Sequence, residues 1–236
     1  IIWGHAGSDD LVNWREVEPA LTALTDEVGC WSGSVVIDAG TPWLFYTRPT
    51  PAEWGIGQVL RARGSADLST WEREPAVPLI DGPPSDLYFD FRDPNVTRVE
   101  DGWRMVIGAG KRGHGGVVLQ YHSPDLVEWT FVGEIASRSS DALPATGTVW
   151  ECPQLIEVDG EWVLLIAAMD QQAISHEMYA IGDFDGSEFQ ARTWGSFEPT
   201  GNAYATTTFR DLAGRPCAMS WIRESTADRT GPIGAT

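Results

Sequence analysis

The chain has 236 residues, 42% hydrophobic and 21% charged, enough for one large domain or two small ones. Its formal net charge is −18 and Lys111 is its only lysine, so it lacks the basic face that nucleic acid, a phosphate-rich ligand or an anionic membrane would need. A neutral ligand suits this balance, and 12 tryptophans suit a sugar, whose rings stack on aromatic faces; core packing is the competing reading and accounts for most of them.

The chain opens on "IIWGHAGSDDLVNW", read as the outer strands of a first structural unit. Its Ser-x-Asp-Leu-x-x-Trp segment returns twice, with Trp14, Trp71 and Trp129 spaced 57 and then 58 residues apart. A weaker copy, "IGDFDGSEF", puts Phe189 60 residues beyond Trp129. Strand–turn–strand patterns lie between the copies: "GSVVIDAGTPWLFYT", "PNVTRVEDGWRMVIGAG", "PQLIEVDGEWVLLIAA" and "TTTFRDLAGRPCAMSWI". Their turns carry Ala39-Gly40, Asp101-Gly102, Asp159-Gly160 and Ala213-Gly214, which is hairpin chemistry. No segment combines a long 3.6-residue pattern with caps, so very little helix is expected. No apolar run approaches the roughly 20 residues of a membrane-spanning helix.

A fixed period built from short antiparallel strands predicts a radial array, and this length per unit predicts four-stranded blades of an all-β propeller. A β-sandwich is the alternative, but it would not repeat one corner at every fourth strand. The units read as the outer strands of blade 1, three blades at roughly 29–75, 90–133 and 149–190, and the first two strands of another from about 203. A propeller removes its free edges by joining its ends, so the chain is expected to be a portion of a larger ring.

The innermost strand of each blade lines the central channel. The segments leading into those strands are "GCWSGS", "FRDPNV", "WECPQL" and "GNAYATTT". They gather Trp31, Ser32, Arg92, Asp93, Glu151, Cys152, Asn202 and Tyr204 at matching repeat positions. Asp93 is expected to be ionised, held so by Arg92, with Pro94 keeping it extended; a structural ion pair at a turn is the alternative. Glu151, between Trp150 and Cys152 and before Pro153, is expected in an apolar surround that raises its pKa, as a general acid requires. Its alternative is an ordinary glutamate at a strand end. Two carboxylates in one slot of neighbouring blades, near aromatics, point to glycoside hydrolysis. His5 reads as a hydrogen-bonded structural residue, and His114 in "KRGHGGV" as part of a hairpin loop. No histidine is placed to activate Cys152 as a nucleophile. Cys30, Cys152 and Cys217 lack paired spacing, so neither a disulfide framework nor a metal site is expected, and the residues require no cofactor.

Together these stretches resemble glycoside hydrolase family 32, the invertase, levanase and inulinase group. "WGHAGSDDLVNW" resembles its Trp-Gly-His-Ala-x-Ser-x-Asp-Leu-x-x-Trp segment, and "GCWSGS" its Phe-Ser-Gly-Ser stretch with Trp31 in the aromatic place. "FRDPNV" matches its Arg-Asp-Pro motif and "WECPQL" its Glu-Cys-Pro motif; "YAIGDFDGSEF" and "AYATTTF" match later landmarks in order. The resemblance implies a five-bladed β-propeller, commonly followed by a β-sandwich. It also implies retaining hydrolysis of terminal β-D-fructofuranosyl bonds in sucrose or fructans. Glu151 would be the general acid/base, and Asp93 would stabilise the transition state. Arg92 would orient Asp93 and touch the sugar. Trp31, Ser32, Tyr204 and Trp221 would line the fructose pocket, with Cys152 beside them.

Three departures qualify the resemblance. The family's nucleophilic aspartate lies in an Asn-Asp-Pro-Asn-Gly segment that this sequence lacks and that is expected upstream of Ile1. Asn202 stands where the family usually has an aspartate, and no C-terminal sandwich is expected within residues 1–236. Residues 1–236 therefore read as a catalytic propeller domain truncated at both ends, expected to be inactive by itself. The competing readings are a fructoside-binding relic without chemistry, and a related propeller hydrolase acting on arabinosides or xylosides. The Arg-Asp-Pro and Glu-Cys-Pro pair argues against the latter.

Overall fold

The computed structural model describes residues 1–25, 27–51, 53–74, 77–170 and 173–223, which form sixteen β-strands and, among these residues, no helix. The first pair, β1 (Ile2–Gly7) and β2 (Arg15–Thr22), makes a two-stranded sheet. Next comes a four-stranded sheet of β3 (Trp31–Asp38), β4 (Thr41–Pro49), β5 (Gly57–Gly64) and β6 (Trp71–Arg73). A second contains β7 (Tyr88–Val99), β8 (Gly102–Lys111), β9 (Gly115–Ser123) and β10 (Thr130–Ser137). A third contains β11 (Val149–Val158), β12 (Glu161–Asp170), β13 (Ala173–Phe184) and β14 (Phe189–Ser196). The last pair is β15 (Ala203–Arg210) and β16 (Pro216–Ile222). Every sheet is an antiparallel meander, and β3, β7, β11 and β15 lie beside one another in that order. These are the outer strands of one blade, three full blades and two strands of a fifth: an open portion of a five-bladed propeller. Two blades extend further than the sequence indicated, to Ser137 and Ser196, because their fourth strands continue past the repeated corner.

That corner is the turn between third and fourth strands, and its chemistry explains the repeat. Asp10 Oδ1 accepts the backbone N–H groups of Val12 (2.9 Å) and Asn13 (2.7 Å). Asp125 Oδ1 does the same for Val127 (2.9 Å) and Glu128 (3.0 Å), and Asp185 Oδ1 for Ser187 and Glu188, both at 2.8 Å. Capping by backbone donors holds all three carboxyls below their ordinary pKa. The next residue turns left-handed: Leu11, Leu68 and Leu126 have φ of 62°, 61° and 66°. In the weakest copy Gly186 takes this place with φ 99°, which glycine adopts without a Cβ clash.

The hairpins follow the same logic. Ala39-Gly40 and Asp159-Gly160 both have positive φ at each residue, the type I′ geometry that matches strand twist. At the β7–β8 hairpin the turn is Glu100–Asp101, and Gly102 instead begins β8 with φ 142°.

Sheets stack face to face, and the core fills the spaces between them. Phe45, Val59, Phe91, Met105, Ile107 and Leu119 form one cluster; Val118, Trp150, Leu155, Leu164, Ile166 and Met178 form the next. Middle strands are covered on both faces, so β8 and β12 read as apolar runs rather than alternating ones. Nine of the 12 tryptophans are buried or half-buried in this packing; Trp14, Trp54 and Trp221 are exposed.

Candidate active site

Each innermost strand carries a bulge at the same level. The ladder slips between Trp31 and Gly33 in β3, Arg92 and Asn95 in β7, Glu151 and Gln154 in β11, and Tyr204 and Thr207 in β15. Within the last three bulges the second residue is left-handed: Asp93 (φ 66°), Cys152 (φ 46°) and Ala205 (φ 52°). A bulge leaves one residue outside the ladder and re-aims its neighbours, so consecutive side chains can serve one site. It also accommodates Pro94 and Pro153, which have no N–H to give a ladder.

Two expectations are corrected here. Asp93 is not extended before Pro94; it sits in the left-handed region, with its N–H donated to Thr47 Oγ1 at 2.8 Å. The two carboxylates do not share a slot either. Arg92 matches Glu151, and Asp93 matches Cys152, one residue later in the repeat.

The electrostatics centre on Arg92, only 6% exposed. Its Nε donates to Glu151 Oε1 at 2.9 Å, and its Nη1 donates to Asp90 Oδ1 at 2.7 Å and to the Gly55 carbonyl at 3.0 Å. Burial alone would lower the guanidinium pKa; Asp93, Glu151 and Asp90 outweigh it and raise the value. Among the described residues Arg92 makes no ion pair with Asp93, so the direct pairing expected of these neighbours is absent. Asp93 Oδ2 instead accepts the Cys152 N–H at 3.1 Å and the Cys152 thiol at 3.6 Å.

Asp93 is therefore not held at a low pKa. Burial first, and the Glu151 charge second, push it up to about 6 against the pull of Arg92. Burial and the surrounding carboxylates also push the Cys152 thiol well above its ordinary value, so it stays protonated. Glu151 does not lie in an apolar surround: Arg92 holds one oxygen and the Tyr204 hydroxyl donates to the other.

Trp31, Ser32, Arg92, Asp93, Glu151, Cys152, Tyr204 and Trp221 all line a single cavity of about 760 Å³, within the range of small-ligand sites. Asn202 does not line it; its side chain donates to Thr200 Oγ1 in the preceding loop. His5 lies in β1 outside the cavity, and its Nδ1 lacks the hydrogen bond expected of it. His114 occupies the β8–β9 hairpin, its N–H on the Lys111 carbonyl at 3.0 Å.

Sequence reasoning missed three contributors. Asp90 pairs with Arg92 from a bulge between Phe89 and Arg92, where its φ is 51°, so strand alternation gave no signal for it. Trp54 lines the cavity from a loop with no repeat to mark it. Glu177 is buried in β13, with Oε2 accepting the Thr206 N–H at 3.3 Å, and burial pushes its pKa up to about 7.

Comparison with known proteins gives this geometry its family. The sequence profile of the Glycosyl hydrolases family 32 N-terminal domain matches residues 1–232. The chain belongs to glycoside hydrolase family 32. Family 32 relatives include the sucrose-6-phosphate hydrolase of Bacillus subtilis (strain 168), 30% identical over 93% of this chain and 48% of that protein. The cell wall beta-fructofuranosidase of Zea mays is 30% identical over 95% of this chain and 42% of its own length. Among solved family 32 structures, a mutant beta-fructofuranosidase of Bombyx mori in complex with sucrose superposes with a TM-score of 0.80. It is 27% identical over 96% of this chain and 50% of that one. The chain thus spans about half the length of the relatives it matches.

Proposed function

We propose that the protein carrying this chain hydrolyses terminal β-D-fructofuranosyl bonds of sucrose or fructans with retention of configuration. The observation that carries this reading is the joining of Glu151, Asp93 and Arg92 on adjacent inner strands at one cavity, in a family 32 chain.

In this reading Glu151 protonates the leaving oxygen, then takes a proton from the incoming water. Arg92 and Tyr204 hold its two oxygens in fixed directions, which keeps the carboxyl aimed during both steps. Asp93 accepts hydrogen bonds from fructosyl hydroxyls and stabilises the oxocarbenium-like transition state. Arg92 anchors the Asp90 and Glu151 carboxylates, while Trp31, Ser32, Cys152 and Trp221 shape the sugar pocket. A retaining mechanism also needs a nucleophilic carboxylate, and the resemblance assigns that role to a segment not contained in these residues. Residues 1–236 are then one catalytic propeller domain whose chemistry needs that further segment.

Glu151→Gln in the full-length protein is expected to lower kcat on sucrose on the order of a thousandfold, the usual scale for a general acid/base. Turnover near the unsubstituted rate refutes the assignment. The 236-residue chain alone is expected to release no glucose or fructose from sucrose, inulin or levan. Release at ordinary enzyme rates overturns the division of the catalytic groups.

A further inference from the structure

We infer that Glu177 is a positioning residue for the acid/base carboxyl: from β13 it holds the bulge of β15, and that bulge aims the Tyr204 hydroxyl at Glu151. The inference rests on the fructosidase reading above, which gives Glu151 its role. It adds a side chain that lies outside the cavity, at the contact between β13 and β15.

The first observation is a difference among the bulges. Arg92-Asp93-Pro94 in β7, Glu151-Cys152-Pro153 in β11 and Tyr204-Ala205-Thr206 in β15 occupy the same three places, with the middle residue left-handed in each. A bulge takes its residues out of the ladder, so an N–H that it buries needs another acceptor. In β7 and β11 a side chain of the preceding blade accepts from the middle residue. Thr47 Oγ1 accepts the Asp93 N–H at 2.8 Å, and Asp93 Oδ2 accepts the Cys152 N–H at 3.1 Å. The third place in both is proline, which has no N–H to satisfy. In β15 the third place is Thr206, which is 0% exposed and keeps its N–H. Glu177 of the preceding blade supplies the acceptor, with Oε2 3.3 Å from the Thr206 nitrogen.

The second observation is where the bonds of Glu177 go. It is 1% exposed within a ladder, opposite Ala167, a place where a carboxyl is costly unless hydrogen-bonded. Burial pushes its pKa up to about 7, and hydrogen bonds from the Thr206 backbone, the Thr206 hydroxyl and the Ala205 backbone resist the rise. All of these partners belong to the bulge. Ser220 of β16 holds the same threonine from the other strand, its hydroxyl 2.8 Å from Thr206 Oγ1. The third observation is the residue that this bulge aims. Tyr204 is 3% exposed and donates to Glu151 Oε2, while Arg92 holds Oε1. Arg92, Glu151 and Tyr204 are the first residues of three neighbouring bulges, so each side chain takes its direction from its own bulge. Without an acceptor for the Thr206 N–H the β15 bulge must relax, because a buried unpaired donor is costly, and Tyr204 moves with it.

The test uses two substitutions in the full-length protein with sucrose as substrate. Glu177→Met keeps a long side chain but accepts no strong hydrogen bond, whereas Glu177→Gln keeps the oxygen and resembles the neutral carboxyl. Glu177→Met is expected to lower kcat about tenfold with KM within about twofold. The alkaline limb of kcat/KM should move to higher pH, because a carboxyl that loses a donor holds its proton more tightly. Loss of a neighbouring negative charge alone would move the limb the other way. Tyr204→Phe should act in the same direction, and the double variant should lose no more than Tyr204→Phe does. Glu177→Gln should keep the unsubstituted rate and profile. A lowered melting temperature with kcat and limb unchanged overturns the inference, and so do additive losses in the double variant. If Glu177→Met does not fold, Glu177→Gln decides: an unchanged profile supports the inference, and one matching Tyr204→Phe overturns it. Absence of turnover by the unsubstituted protein refutes the fructosidase reading instead. Crystal structures of the two variants then decide: a Tyr204 hydroxyl moved off Glu151 Oε2 in Glu177→Met and kept there in Glu177→Gln supports the inference, and any other arrangement overturns it.

Discussion

Asp93 is 5% exposed, with Oδ2 held by the Cys152 N–H and the neighbouring guanidinium engaged by Asp90 and Glu151. Its pKa rises from 3.8 to about 6 through burial and the Glu151 charge. The folded state therefore binds this proton more tightly than the unfolded chain does. The associated stability is fully present below about pH 4 and is lost as pH rises through about 6. Asp93→Asn removes the titration and keeps an oxygen for the Cys152 N–H. The melting temperature of the variant, relative to the unsubstituted protein, is expected to rise between pH 4 and pH 7, by up to roughly 3 kcal/mol of stability for a two-unit shift. A pH-independent difference shows that Asp93 titrates normally. The identities of Asp93, Arg92 and Glu151 were legible from their place in the repeat. Their pairing was not, because Asp90 and the bulge at Asp93 redirect Arg92 in a way no spacing records.

At the scale of elements, the repeated Ser-x-Asp-Leu-x-x-Trp segment was visible because one turn geometry imposes one set of side chains. The aspartate caps two backbone N–H groups, and the leucine turns left-handed beneath it. Asp125→Ala leaves the Val127 and Glu128 N–H groups without that partner. It is expected to lower unfolding free energy by about 1 kcal/mol, as loss of a helix N-cap does. Asp125→Asn, which retains an acceptor, should lose less; equal losses in urea denaturation would show that the cap is not the cause. The hairpin at Asp101-Gly102 was misplaced by one residue because the Asp-Gly pair is a turn signal whether glycine ends the turn or begins the strand.

At the scale of the molecule, the blades meet closely enough to exclude a single methyl group. A Cβ at Gly108 in β8 would lie 2.2 Å from the Trp150 carbonyl of β11, so the neighbouring inner strand touches bare backbone. Gly108→Ala must displace β11, the strand that carries Glu151. It is expected to cost on the order of 1–3 kcal/mol, the range for overpacking a filled core. A melting temperature within a degree of the unsubstituted protein would show that the blades yield freely. Nothing in the local sequence marks Gly108 as a contact site, since its partner lies 42 residues away in the chain.

The sequence by itself determined the all-β class, the four-stranded unit, the number of blades represented and most of the side chains that meet at the cavity, though it included Asn202 and missed Trp54. It could do so because a repeat copies local chemistry: strand alternation, turn residues and capping aspartates act over a few positions and recur with the blade. Only the tertiary structure decided the attachment of Arg92 to Asp90 and Glu151, the raised pKa of Asp93 and the place of Trp54 at the rim. These depend on burial, on bulges and on distances between blades. All three are set by packing residues far apart in the chain, and a local pattern carries no record of them.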